Sequence, residues 1–246
     1  MVSYRVIARL DVKGKNLVKP VQFEGLRVIG NPAQFAKRYA DEGADELLYL
    51  DIVASLYGRN QLESLIEETS AETFVPITVA GGITQAWQAD NLFRSGADRI
   101  GFNTGGIGRP ASISEFSGRY GSQAITVSIE AKRTTFGWEA YTDCGRNPSG
   151  KDAVKWAHEA AELGAGELLI TSIDHDGTMR GFDADLYRQI DVDIPVIAAG
   201  GYGKPEHLDS ILPYTQGVAI GSAFHYGKSS IAQVKAHLAS LGAVIR

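Results

Sequence analysis

Two acidic residues, Asp11 in IARLDVKG and Glu130 in TVSIEAKR, each close a short apolar run. Carboxylates in matching contexts can divide general acid and general base work, provided that their surroundings push their pKa values apart. The plainer alternative pairs each with a nearby lysine, Lys13 or Lys132. Two glycine-rich sets accompany them: Gly81-Gly82 with Asn103-Thr104-Gly105-Gly106, and Gly200-Gly201 with Gly221-Ser222. Glycine lets backbone N–H groups approach an anion, a hydroxyl adds a donor, and a following helix N-terminus adds positive potential. Asp176-Gly177-Thr178 extends the second set. One such turn alone is a tight connection; two copies predict an elongated, bis-phosphorylated small molecule with the carboxylates between its anchors. Asp51 and Asp174 are further acidic candidates. Arg5, Glu46, Arg99 and Glu167 put charge where apolar strands begin, either as a ring of two cations and two anions or as solvated strand ends. The segment from Lys13 to Gly30, carrying Lys15, Lys19 and Arg27, is long enough for a lid; the imperfect alternation of Val21, Phe23 and Leu26 equally suits a small β-hairpin.

The elements that must hold these residues follow from periodicity. Val- and Ile-rich runs alternate with amphipathic stretches along the whole chain, the pattern of βα units around a parallel sheet. The spacing predicts strands at Arg5–Leu10, Glu46–Ile52, Ile77–Ala80, Arg99–Phe102, Ile125–Ile129, Glu167–Ile173, Val196–Ala199 and Val218–Ile220. Helices are predicted over Pro32–Glu42 and Asn60–Glu68, and from Thr84, Pro110, Lys151, Asp183, Pro205 and Ser230. Asn31 and Pro32 supply a cap and a first helical position. No linker interrupts the series, so the expected fold is α/β, a single (β/α)8 barrel over 1–246 with its chemistry at the C-terminal strand ends.

The chain also repeats itself. PITVAGGI resembles PVIAAGGY at an offset of 119 (200 − 81), and GADELLYLDI resembles GAGELLITSI at 121 (168 − 47). IARLDVKG matches TVSIEAKR at 119 (130 − 11), and IGFNTG lies opposite VAIGSA at 118 (222 − 104). Ordered matches at nearly constant offset predict half-barrels over roughly 1–120 and 121–246. Composition narrows the partners. In 246 residues, 24 Lys plus Arg stand against 29 Asp plus Glu, a net charge of −5 that offers no basic field for nucleic acid or anionic membrane. The single cysteine, Cys144, leaves no disulfide framework and no thiolate zinc site, and the five histidines form no short metal motif. No metal or cofactor is expected. No apolar run approaches a membrane span, and the start lacks a signal-peptide layout, so the expected location is the cytoplasm.

The segments IARLDVKG, ADELLYLDIVAS, ITVAGGI, RIGFNTGG, GAGELLITSIDHDGT and PVIAAGGYGKPEH together resemble, across essentially the whole chain, the cyclase subunit of imidazole glycerol phosphate synthase, the HisF family. The resemblance implies an ammonia-using ring closure on a phosphoribulosyl-formimino-aminoimidazole-carboxamide ribonucleotide in histidine biosynthesis, releasing imidazole glycerol phosphate and the aminoimidazole carboxamide ribotide. It also implies a class I glutaminase partner (HisH-like) at the N-terminal barrel face. By resemblance Asp11 is a catalytic acid or base with Glu130 at the second catalytic position. Gly82, Asn103 and Thr104 serve one phosphate; Asp176, Gly177, Gly201, Gly221 and Ser222 serve the other. Arg5, Glu46, Arg99 and Glu167 become an ammonia gate, and Lys19 belongs to the lid. The chain departs from the family pattern at four positions: Glu130 for aspartate, Arg9 for cysteine, Pro20 for glycine and Arg99 for lysine. A HisF-like paralogue that channels ammonia to another acceptor, such as a surface-polysaccharide sugar, is the second reading, and a phosphoribosyl-formimino isomerase the third.

Overall fold

The computed structural model describes residues 3–54 and 62–245. Twelve strands are described: β1 Arg5–Lys13, β2 Asn16–Val21, β3 Glu24–Gly30, β4 Glu46–Asp51, β5 Ile77–Ala80, β6 Arg99–Phe102, β7 Ile125–Thr134, β8 Gly137–Thr142, β9 Asn147–Asp152, β10 Glu167–Ser172, β11 Val196–Ala199 and β12 Gly217–Ile220. Eight of them run parallel in the order β10-β11-β12-β1-β4-β5-β6-β7, and pairing of β10 with β7 closes the barrel. These are the eight strands expected from the apolar runs. The helices are α1 Pro32–Asp41, α2 Glu63–Glu72, α3 Ala86–Arg94, α4 Thr104–Gly108, α5 Ala111–Tyr120, α6 Ala153–Glu162, α7 Ala184–Gln189, α8 Ser222–His225 and α9 Ile231–Ser240. The start of the expected helix Asn60–Glu68 lies outside the described residues.

Local chemistry sets the helix starts. Asn31 accepts from the Gln34 N–H ahead of Pro32, Asp152 from that of Lys155, and Ser230 from that of Gln233. The Gln88 side chain takes the Thr84 and Gln85 N–H groups, which moves the start of α3 from Thr84 to Ala86. The helix expected at Pro205 is replaced by two 3₁₀ turns, Pro205–Leu208 and Leu212–Tyr214. Pro213 lacks the N–H that a continued helix would need.

Side chains alternate across the barrel wall, and the alternation separates two cores. Val6, Ala8, Leu10, Leu47, Tyr49, Val79 and Ile100 face outward into the shell packed by the helices. Ile7, Leu48, Leu50, Ala80, Leu169, Ile197, Ala199 and Ala219 fill the interior. In the register that pairs Ile7 with Glu46 and Arg9 with Leu48, the inward column of β1 reads Arg5, Ile7, Arg9, Asp11. That of β7 reads Thr126, Ser128, Glu130, against Glu167, Leu169, Thr171 on β10.

Asp11 and Glu130 sit inside strands, not after them as expected, because β1 and β7 both continue past the barrel rim. β1 runs into the antiparallel hairpin β2–β3, and β7 into β8–β9. The Lys13–Gly30 segment is therefore the hairpin of the two alternatives. Its turn places Gln22 and Phe23 at φ 49° and 62°, the double left-handed geometry that matches the twist of a hairpin. The second hairpin was not anticipated. Between them the hairpins roof the barrel mouth, with Phe23, Cys144 and Ile173 closing the inner core from above.

The outer shell is anchored by Trp156 of α6, about 1% exposed and the largest fully buried side chain among the described residues. Trp156→Ala is expected to cost about 3–5 kcal/mol, the range for emptying a large aromatic site. Denaturant midpoints at unchanged m-value check this.

Candidate active site

β1 aims Arg9 and Asp11 at the top of the barrel, where both are buried. Arg9 Nε donates to Asp11 Oδ1 at 2.7 Å, and Lys19 Nζ, from β2, donates to Asp11 Oδ2 at 2.6 Å. Lys19 also donates to Asp176 Oδ2 at 3.1 Å, and Arg9 Nη1 stands 3.5 Å from Asp176 Oδ1. Two buried cations thus face two buried carboxylates. Burial works to raise the Asp11 pKa, but the charges of Arg9 and Lys19 and their hydrogen bonds overcome it and hold the carboxyl well below the usual range. Asp11 is ionised at any working pH. Its partners are Arg9 and Lys19, not the neighbouring Lys13.

Glu130 is the counterpart on β7. The turn between β8 and β9 holds Asp143, Cys144 and Gly145 all at positive φ, 54°, 56° and 72°. This left-handed run points the Gly145 N–H at Glu130 Oε2, 2.7 Å away. Left-handed backbone at two non-glycine residues is costly, and here it positions a donor at a buried carboxylate. Burial pushes the Glu130 pKa up to about 7, with the Gly145 N–H and the Arg9 charge only partly opposing it. Carboxylates at corresponding places on opposite strands of the barrel therefore titrate in different ranges.

The glycine sets line two cavities. The first, about 80 Å³, is bounded by Asp51, Gly81, Gly82, Asn103, Thr104, Gly105, Glu130 and Cys144. Gly81 has φ 104°, and a Cβ there would lie 2.4 Å from the Asp51 carbonyl oxygen, so only glycine fits. Asn103 Nδ2 donates to the Tyr141 carbonyl, and the Asp143 N–H donates to Thr104 Oγ1 at 3.0 Å, so the β8–β9 hairpin braces this wall. The second cavity, about 20 Å³, is bounded by Arg9, Lys19, Asp176, Gly177, Gly200, Gly201, Tyr202, Gly221 and Ser222. Gly201, at φ 112°, passes so close to Gly181 that a Cβ would sit 2.1 Å from its carbonyl oxygen. Lys19 was expected on a lid loop; it lies on a strand and is buried. The hairpin tip is fastened over this cavity, the Gln22 N–H donating to the Asp176 carbonyl and Gln22 Nε2 to that of Asp174, both at 2.8 Å.

At the other mouth Arg5 donates to Glu46 Oε2 at 3.0 Å and to Glu167, while Arg99 reaches Glu46 at 2.8 Å. Thr78 and Thr126 add hydroxyl contacts to the two glutamates. The four charges are interlinked and largely buried, unlike solvated strand ends. Sequence reasoning missed the Gly145 donor, which is a backbone group on an unanticipated hairpin. It also left the direction of Arg9 open, although the column Arg5, Ile7, Arg9, Asp11 carries the signal.

A closed parallel barrel with opposed carboxylates, paired glycine cavities and a charged far mouth is the architecture of a (β/α)8 barrel enzyme, and the comparisons agree. The family model "Histidine biosynthesis protein" matches residues 5–230. Imidazole glycerol phosphate synthase subunit HisF of Legionella pneumophila is 51% identical to the chain, covering 85% of it and 100% of that relative. The HisF subunits of Dehalococcoides mccartyi and Pyrococcus furiosus are each 44% identical over 100% of the chain and 99% of their own length. The chain belongs to the histidine biosynthesis protein family, among its HisF members.

The raised Glu130 pKa has a consequence for stability. Between its ordinary pKa of 4.5 and about 7 the folded chain keeps a proton that the unfolded chain has released. Its contribution to stability therefore falls as pH rises through that window and is flat above it. Glu130→Gln is expected to remove this loss, on the order of 3 kcal/mol, so that the variant gains on the parent between pH 5 and pH 8 in denaturant titrations. Parallel pH profiles would contradict the assignment.

Proposed function

We propose that the chain is the ammonia-dependent cyclase subunit of imidazole glycerol phosphate synthase. It converts the phosphoribulosyl-formimino-aminoimidazole-carboxamide ribonucleotide to imidazole glycerol phosphate and the aminoimidazole carboxamide ribotide. The observation that carries this reading is the placement of Asp11, paired with Arg9 and Lys19, and Glu130, held by the Gly145 N–H, on opposite strands at the end of the barrel that carries the two glycine cavities. Condensation of ammonia with the substrate's ketone expels its oxygen as water, and attack of the new nitrogen on the formimino carbon breaks the C–N bond that releases the aminoimidazole carboxamide ribotide; protons leave the attacking nitrogen and are given to the departing oxygen and amine, so a base and an acid are needed together. Protonated Glu130 is the acid; ionised Asp11, its basicity lowered by Arg9 and Lys19, takes a proton from the cationic nitrogen that ammonia attack creates. Gly82, Asn103 and Thr104 bind one phosphate through backbone N–H and side-chain donors; Gly177, Gly201, Gly221 and Ser222 bind the other. Asp176 carries no donor of its own and serves by holding Lys19 and Arg9.

Ammonia arrives from below. The linked charges Arg5, Glu46, Arg99 and Glu167 form the gate, and the apolar layer of Ile7, Leu48, Leu169 and Ile197 above them admits a neutral molecule far more readily than ammonium. A class I glutaminase of the HisH kind docks at that N-terminal face and supplies it. The two halves of the chain, roughly 1–120 and 121–246, contribute equivalent halves of the site.

The first test is absorbance-monitored turnover of the formimino substrate by the purified chain with excess ammonium salt near pH 7, where Glu130 keeps its proton, without a glutaminase. Product formation is expected, and its absence with intact substrate binding rejects the reading. Asp11→Asn should lower kcat by about 10²–10⁴ while leaving bis-phosphate affinity within a few-fold. At a fixed concentration of free ammonia, kcat should decline as pH rises through about 7, where Glu130 loses its proton. Glu130→Asp withdraws the carboxylate from the Gly145 N–H, and a shift of about 1 Å is worth about a hundredfold in rate. Undiminished turnover of either variant removes that residue from the mechanism.

A further inference from the structure

Arg9 is buried to 2% exposure, yet only its Nε is hydrogen-bonded, to Asp11. Nη1 and Nη2 have no hydrogen-bond partner. Nη1 has an ion-pair contact with Asp176 at 3.5 Å, too long for a hydrogen bond, and the guanidinium carbon lies 5.7 Å from the centre of the Phe23 ring. Buried guanidinium N–H groups left without acceptors are expensive, and such groups are retained where an acceptor arrives from outside the chain. Arg9 lines the cavity of Gly177, Gly201, Gly221 and Ser222, so an anion held there meets these free donors.

We propose that Arg9 is a substrate-binding residue that grips the phosphate in this second cavity through its two Nη groups, while Nε stays on Asp11. The inference rests on the phosphate reading of that cavity and extends it to a residue outside both glycine sets. The opposite cavity has no lysine or arginine in its lining, only backbone and the neutral side chains of Thr84, Asn103, Thr104, Ser128 and Cys144 around Asp51 and Glu130. A bis-phosphorylated substrate is therefore held unequally, by a forked guanidinium at one end and by neutral donors at the other, which fixes which end enters which half. Arg9 and Lys19 already face Asp11 and Asp176, so the cluster carries no surplus positive charge. What Arg9 adds is donor geometry, a planar fork that matches phosphate oxygens and that a lysine cannot reproduce.

The test is ³¹P-NMR titration of the full chain with inorganic phosphate, comparing Arg9→Met and Arg9→Lys with the parent. Arg9→Met preserves length and leaves Asp11 paired with Lys19; circular dichroism of both variants verifies folding, and Arg9→Lys keeps the buried charge should the methionine variant fail that check. Phosphate affinity should drop at least about tenfold in Arg9→Met and recover only partly in Arg9→Lys, the loss of a charge-assisted fork. With the formimino substrate, KM should rise by a similar factor and more than kcat falls. Equal phosphate affinity in parent and variants, or no phosphate binding by the parent, overturns the inference. A parent that binds phosphate through Arg9 yet turns over no substrate rejects the cyclase reading and leaves Arg9 assigned.

Discussion

Much of the site hangs on one buried electrostatic cluster, Arg9 and Lys19 against Asp11 and Asp176. Ions taken out of water lose several kcal/mol of hydration apiece, and mutual attraction returns that only when geometry is good. The cluster meets the condition by drawing its members from separate elements: two from the inward column of β1, one from the first hairpin and one from the loop after β10. It therefore binds barrel wall, hairpin and second cavity into one unit. It also determines how the two carboxylates differ. Asp11 takes nearly all the cationic stabilisation; Glu130, with a backbone N–H and a more distant share of Arg9, stays close to neutral pH.

The barrel interior is arranged in layers with different tasks. Charges interlock at the lower mouth, aliphatic side chains fill the middle, and the ionisable groups of the chamber sit on top. Strand pleating produces the layering directly, since residues two apart share a face and paired strands bring equivalent residues to one height. Small interior residues on several strands, Ala80, Gly101, Gly217 and Ala219, leave room that aliphatic side chains on the others partly fill.

Most of this was legible before any coordinates. Parallel strands buried on both faces have to be written as Val- and Ile-rich runs, so all eight were visible, with boundaries shifted where β1 and β7 overrun the rim. The glycine sets were legible because a Cβ cannot be accommodated at Gly81 or Gly201. The β8–β9 hairpin was not legible. Its second strand, Asn147–Asp152, reads NPSGKD, with no apolar alternation, and is held by backbone pairing to β8. Arg9 was noticed but not placed, because an arginine in sequence ordinarily means solvent, and only its phase with Ile7 and Asp11 turns it inward. Pro205 looked like a helix start, and the same rigidity that made it so also suits the 3₁₀ turn that forms there.

The first hairpin carries a charge as well as a roof. Its tip is pinned to the barrel by Gln22, and Lys19 on the same hairpin is hydrogen-bonded to Asp11. Roof and electrostatics thus share one strand: the element that covers the second cavity also delivers a cation to the buried cluster. The hairpin's placement and the ionisation of Asp11 are therefore coupled through Lys19, so a substitution that loosened the Gln22 attachment would be felt at a carboxylate that it does not touch.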